Sequence, residues 1–230
     1  MGPVSETRRY TSPLHAGARF VAQRLMMKPF IWRLATVTVL GRERLDGLSG
    51  PFVVVSNHAS HLDAPLIIGA LPQRLARYVA ANAAADYFFD VWWRKPLTAL
   101  FFNAFPVDRT GLSGRSSMAT SLLDQGVPLL IFPEGGRSRT GAIGNFKPGA
   151  AALCKSRDVP CLPVAIVGAS EAMPYGASWP ERGRPSVYVT FGEPLRADAH
   201  ESVLDFSDRI AKEVRTLIDE TTAHRESHTP

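Results

Sequence analysis

The sequence predicts an α/β domain, a mostly parallel sheet flanked by helices, preceded by an N-terminal helical segment. Short continuous apolar runs, such as Phe52-Val53-Val54-Val55 and the stretch from Cys161 to Val167, recur along the chain. Strands of that composition are buried on both faces, as in parallel sheets covered by helices. Stretches with helical patterning alternate with them. The apolar fraction is 45% and the charged fraction 20% over 230 residues, which fits one globular domain with a sizeable core.

The elements follow in order. "ATVTVLG" alternates like a strand, and "PFVVVSN" is a short buried one. "APLIIGAL" reads as a helix. "RYVAA" and "AFPVD" are strand candidates on either side of a helical stretch containing "ADYFFDVWW". Residues 113–125 read as a helix that Gly126 ends. "VPLLIFP" is a strand, "GAAALCKS" a helix, "CLPVAIVGA" a strand, and "SVYVTFG" another. Val203, Phe206, Ile210, Val214, Leu217 and Ile218 mark an amphipathic C-terminal helix, with a polar, frayed tail over residues 223–230.

Two cysteines, Cys154 and Cys161, are too few for a disulfide framework and fit no zinc spacing. No signal-peptide pattern opens the chain, and no run of about 18 apolar residues offers a spanning helix. Between Arg8 and Arg44 there are eight Lys or Arg and one acid, Glu43, mixed with Phe20, Leu25, Met26, Met27, Phe30, Ile31 and Trp32. Such a mixture suits an anionic bilayer surface, where cationic side chains reach the headgroups. No nucleic-acid motif accompanies the charge, so nucleic acid is not the expected partner. Residues 1–40 are therefore expected as a membrane-docking helical segment, divided at Pro29, and residues 41–222 as the main domain. Peripheral attachment at the cytoplasmic face of the cell membrane follows.

Two polar clusters fall just beyond strand C-termini, where ligands of α/β sheets bind. In "NHASHLD", the Asp63 carboxylate can fold back on His58, accept from Nδ1–H and leave Nε2 to take a proton. No Gly-x-Ser-x-Gly elbow or plausible nucleophilic cysteine stands beside the pair, which points to a substrate hydroxyl as nucleophile. The bland alternative is that both residues merely cap the next helix. A metal reading would use His58, His61 and Asp63, but His15, His200, His224 and His228 are poorly placed to complete it, and no metal is expected. The second cluster is "IFPEGGRSRTGAIGNFKPG". Gly135 and Gly136 allow close backbone approach, and Arg137, Arg139 and Lys147 supply cations suited to a phosphate. It lacks the Gly-Lys-Ser/Thr of a Walker A loop. In "FPVDRTG", Arg109 directly follows a strand and adds to the cationic set.

These segments carry a resemblance. "NHASHLD" resembles the Asn-His-x-x-x-x-Asp signature of the glycerolipid acyltransferases, and "FPEGGRS" their Phe-Pro-Glu-Gly-Thr-Arg-Ser block. "FPVDR" resembles their central arginine block, and "VPCLPVAI" their final proline block. All occur in family order from Asn57 to Ile166, about half the chain. The branch resembled most is that of the bacterial 1-acylglycerol-3-phosphate acyltransferases, which form phosphatidic acid.

The resemblance implies the glycerolipid acyltransferase fold, with His58 and Asp63 catalytic. It implies that Arg109, Arg137 and the Glu134-Gly135 turn hold the acceptor's glycerol phosphate, and that Pro163 lies on the acyl side of the site. The donor is acyl-CoA or acyl-carrier protein, and no cofactor or metal is needed. The expected reaction acylates the sn-2 hydroxyl of lysophosphatidic acid. Acylation of glycerol 3-phosphate, another lysolipid or a glycolipid is the alternative, followed by a non-catalytic lipid-binding protein on the same fold. Two departures touch the acceptor side. Gly136 replaces the family threonine, and "YVAANAAADYF" lacks a lysine found in many relatives, for which Arg77 or Lys95 would be out of register.

Overall fold

A computed structural model describes residues 9–84, 100–107 and 116–228. Helix α1 (Pro13–Val21) runs through a π-helical stretch (Ala22–Met27) into α2 (Lys28–Leu34). Then follow β1 (Thr36–Leu40), a 3₁₀ turn (Arg42–Leu45), β2 (Val53–Ser56), α3 (Asp63–Ala70), α4 (Gln73–Ala76), β3 (Ala80–Ala84) and β4 (Phe105–Val107). The remaining elements are α5 (Ser116–Asp124), β5 (Leu129–Ile131), α6 (Gly149–Arg157), β6 (Cys161–Val167), α7 (Ala169–Ala172), β7 (Ser186–Phe191) and α8 (Val203–His228).

The seven strands form one sheet in the order β1-β7-β6-β2-β5-β3-β4. Every neighbouring pair is parallel except β6 with β7. Strand β2 is central, and Val53, Val54, Val55 and Ser56 are all buried, as its unbroken apolar run requires. Its two faces feed different cores. Val54 packs with Leu66, Ile67, Leu130, Leu162 and Val164. Val53 and Val55 pack with Leu122, Leu129, Cys154, Phe206 and Ile210. Because β2, β5 and β6 are mutually parallel in this order, the turns after them open on one rim.

The N-terminal segment departs from the expected layout. Pro29 does not divide it. The π-helical turn just before Pro29 widens the ladder where proline lacks a donor and crowds the preceding turn, so the helix continues. Nor does the packing divide at residue 40. Strand β1 pairs with β7 over residues 36–40, while Tyr10, Met27 and Ile31 are core residues. A Cβ at Gly69 would stand 2.6 Å from the Trp32 ring, so this glycine lets α2 lie directly on α3. Arg24 donates to the carbonyls of Gly69 and Leu71, and Arg42 to that of Ala70. These cations satisfy the open carbonyls at the C-terminal end of α3.

The expected tail is also shorter. Helix α8 extends to His228 because tertiary contacts carry its last turns. Thr221 bonds Thr190 at 2.7 Å, the His224 ring meets Tyr188 edge-on, and Arg225 pairs with Glu171.

Candidate active site

The turn after β2 is fixed first by Asn57. Its side-chain Nδ2 donates to the Ile166 carbonyl and its Oδ1 accepts from the Ile166 N–H, both at 2.9 Å. The amide thus imitates one more residue of strand pairing and holds the end of β2 to β6. The chain then curls around the Asp63 carboxylate. Oδ2 accepts from the backbone N–H groups of Ala59 and Ser60, both at 2.8 Å, and from His58 Nδ1 at 2.7 Å. Asp63 is the first residue of α3 and 1% exposed. The expected His58–Asp63 pair is therefore present, and neither side chain caps the helix that follows, since the N–H groups Asp63 accepts precede it. One carboxylate oxygen organises the turn and orients the imidazole.

The imidazole is held on two sides. Its face stacks on Phe132, with ring centroids 4.0 Å apart and planes 16° from parallel. Its Nδ1 edge is bound to Asp63, and Nε2 has no partner among the described residues. The hydroxyl of the same turn, Ser60, donates to the Met173 carbonyl at 3.0 Å. Both buried thiols, Cys154 and Cys161, lie in the core under α8.

The turn after β5 meets His58 through its backbone. Glu134 Oε1 accepts from the His58 N–H at 2.7 Å, and the His58 carbonyl accepts from the Ser138 N–H at 2.7 Å. Glu134 Oε2 accepts from the Gly144 N–H at 2.8 Å. Both oxygens are thus committed to backbone donors. Glu134 braces the two turns through these bonds. Burial pushes its carboxyl above the ordinary glutamate range, against the pull of those two N–H groups. Glu134 is the brace that sequence reasoning missed. The signal was its sign, since a carboxylate repels a phosphate.

The cations gather beside this turn. Gly135 has φ +77°, and a Cβ there would meet Lys147 Nζ at 2.7 Å, so a glycine lets the lysine fold across the turn. Arg137 and Arg139 both lie against the Tyr175 ring, with Cζ 4.9 Å and 5.5 Å from its centroid. Arg137 Nη1 is buried without a hydrogen-bond partner. His61 is held below the ordinary histidine value by burial first, then by Arg137 and His58. Arg137 therefore acts on the same turn as the dyad.

Other expectations fare differently. Arg109 and Lys95 lie outside the described residues. Arg77 precedes β3, at the rim opposite the dyad, and stacks on Tyr78. Pro163 sits inside β6, opposite Val55, with its ring crowding Gly192 beside Leu217 of α8. It lies in the core below the rim. Among the described residues, no three His, Cys, Asp or Glu side chains are grouped to hold a metal ion.

A buried Asp–His pair on the rim of an α/β sheet, an open Nε2, and guanidiniums beside it make a candidate general-base site with a cationic flank. The chain belongs to the Acyltransferase family, whose model matches residues 36–167, more than half of its length. It is 31% identical over 142 residues to a 1-acyl-sn-glycerol-3-phosphate acyltransferase of Chlamydomonas reinhardtii, covering 61% of this chain and 41% of that protein. It is 34% identical over 120 residues to the alpha form of that enzyme in Mus musculus, covering 50% of this chain and 40% of the relative. The match to the chloroplastic Brassica napus enzyme is 28% over 175 residues, or 74% and 47% of the two chains. The chain thus spans about half the length of the curated relatives it matches. The crystal structure of the 1-acyl-sn-glycerophosphate (LPA) acyltransferase PlsC from Thermotoga maritima shares the fold, with a TM-score of 0.70. That likeness has 22% sequence identity and covers 96% of this chain and 88% of the other.

Proposed function

We propose that this protein transfers a fatty acyl group from an acyl thioester to the sn-2 hydroxyl of lysophosphatidic acid, forming phosphatidic acid. The observation that carries the proposal is the 2.7 Å bond between His58 Nδ1 and Asp63 Oδ2, with Nε2 left open. Nε2 takes the sn-2 hydroxyl proton as the oxygen attacks the thioester carbonyl, and Asp63 stabilises the imidazolium. The tetrahedral intermediate collapses with cleavage of the carbon–sulfur bond. The imidazolium returns its proton to the departing thiolate, so no acyl group is attached to the protein. Arg137, Arg139 and Lys147, with Arg109 from the central arginine block, hold the acceptor phosphate. The donor, acyl-CoA or acyl-carrier protein, enters as a substrate, and no resident cofactor or metal takes part.

The acceptor is a membrane lipid, and the reading places the protein peripherally at the cytoplasmic face. Support comes from the outer side of the N-terminal helices. Ala16, Arg19, Gln23, Met27 and Ile31 turn inward, while Leu14, Val21, Leu25, Met26 and Phe30 are exposed. Phe30 meets Trp179, itself 62% exposed, edge-on at 5.9 Å, which extends the apolar strip toward the Tyr175 loop. Among the described residues no helix is long and apolar enough to cross a membrane. The basic residues contribute less than their number suggests. Arg9, Arg19, Arg24, Arg42 and Arg44 all donate to backbone carbonyls of the body. Attachment is therefore mainly apolar.

The test is an acceptor panel with one labelled acyl-CoA: lysophosphatidic acid, glycerol 3-phosphate, lysophosphatidylcholine and monoacylglycerol. Lysophosphatidic acid should be used best, and Arg137→Ala should lower its efficiency about 10- to 150-fold, the worth of a charge-assisted contact. No transfer to any of the four would favour the non-catalytic lipid-binding alternative. Equal use of monoacylglycerol would remove the phosphate from recognition.

A further inference from the structure

We infer that Tyr175 is a positioning residue that presets the two acceptor-binding arginines and thereby selects a phosphomonoester over a phosphodiester. The inference rests on the acyl-transfer reading for its reaction, though not for its chemistry. Tyr175 lies in the loop after α7, which the site holds in place. Ser60 of the His58 turn donates to the Met173 carbonyl at 3.0 Å. The base of the loop is closed by the Glu181 N–H on the Ala172 carbonyl at 2.8 Å, and its tip by the Ala177 N–H on the Pro174 carbonyl at 3.1 Å. The backbone that carries Tyr175 is therefore tied to the His58 turn, although the residue is 47% exposed.

Arg137 and Arg139 are two residues apart on a glycine-rich turn, and both guanidiniums rest within 5.5 Å of that one ring centroid. Two free arginines so near each other would repel and sample many rotamers. Contact with the aromatic quadrupole offsets the repulsion and fixes the guanidinium groups, while leaving N–H edges to donate. Arg137 Nη1 is already desolvated and without an acceptor. Such a pair suits a group carrying two negative charges and three terminal oxygens, which is a phosphomonoester. A phosphodiester headgroup offers one charge and two terminal oxygens. The platform also supplies order to a turn in which Gly136 brings no side chain of its own.

The experiment compares full-length Tyr175→Leu and Tyr175→Phe on lysophosphatidic acid and lysophosphatidylcholine with one acyl-CoA. Tyr175→Leu should raise KM for lysophosphatidic acid about 3- to 30-fold, the span of a cation–π contact. Its kcat, KM for acyl-CoA and KM for lysophosphatidylcholine should hold, so discrimination falls by the same factor. Tyr175→Phe keeps the ring and should stay within about twofold of the unsubstituted protein. Equal damage from Phe and Leu would overturn the inference, since the hydroxyl would then be what matters. An equal loss on both acceptors, or a loss confined to kcat, would also overturn it. Calorimetric titration with glycerol 3-phosphate supplies a readout without turnover, in which binding weakens with Leu and survives with Phe. A protein that moves no acyl group yet shows that pattern refutes the reaction and leaves the role of Tyr175 standing. Unchanged titration with Leu refutes the role itself.

Discussion

The Glu134 carboxylate accepts the backbone N–H of His58 at 2.7 Å, so the turn after β5 sets the height of the imidazole that the turn after β2 carries. Glu134→Gln keeps the shape but replaces one acceptor oxygen with a donor. One of the two backbone N–H groups, of His58 or Gly144, then lacks its partner, at a cost of about 1–3 kcal/mol. A melting temperature lower by about 2–4 °C per kcal/mol should accompany a kcat reduced by up to about 100-fold. A rise in acceptor KM with unchanged melting would instead make Glu134 a direct acceptor contact.

His61 gives a pH signature. Burial and Arg137 hold its native pKa below the ordinary value near 6.5. As pH falls through about 6.5, the unfolded chain takes up a proton that the native protein still refuses, and stability falls. The loss stops once pH passes below the lowered native value. His61→Gln should flatten that acid-side limb in melting curves recorded across the window. Turnover near neutral pH should change little in the same variant. A collapse of turnover would show that His61 belongs to the chemistry, as a metal reading requires.

Gly136 leaves room for the threonine of the Phe-Pro-Glu-Gly-Thr-Arg-Ser block that this segment resembles. A Cβ built there meets nothing within 4 Å, and the backbone is not left-handed. Gly136→Thr should fold with an unchanged melting temperature and bind the acceptor at least as well. A folded but inactive variant would mean that the open space is used by the substrate.

Membrane attachment should depend on apolar contact more than on charge. Leu25→Glu with Phe30→Glu removes two exposed side chains of the helix face without touching the core. Burying such a side chain is worth about 1.5–3 kcal/mol, so flotation with phosphatidylglycerol-containing vesicles should weaken by at least about 10-fold. Raising salt on the unsubstituted protein should do less. Flotation unchanged by the double substitution would put the membrane-facing surface elsewhere.

Strands β2, β5 and β6 stand where their apolar runs place them, because a strand buried on both faces needs little but local composition to declare itself, whereas β3 begins at Ala80, three residues later than the "RYVAA" candidate. The dyad was legible for a related reason. His58 and Asp63 belong to one turn, so their spacing alone allows them to meet. What the sequence concealed depends on distant partners. Nothing near Glu134 tells that its oxygens will reach His58 and Gly144, and nothing near Arg24 tells that Gly69 and Leu71 will take its donors. Tyr175 had no motif around it. The run of basic residues suggested a charged membrane surface, although most of its described arginines are spent on the body's own carbonyls.

The central claim is that His58 is the base for a bound lysolipid hydroxyl, and one rate tests it most directly. Turnover of lysophosphatidic acid with acyl-CoA is measured for His58→Ala, with its melting curve recorded in parallel. The account predicts native-like melting and a kcat lower by about 100- to 10,000-fold, the usual contribution of a positioned general base. A folded His58→Ala protein that turns over at near the original rate would contradict it.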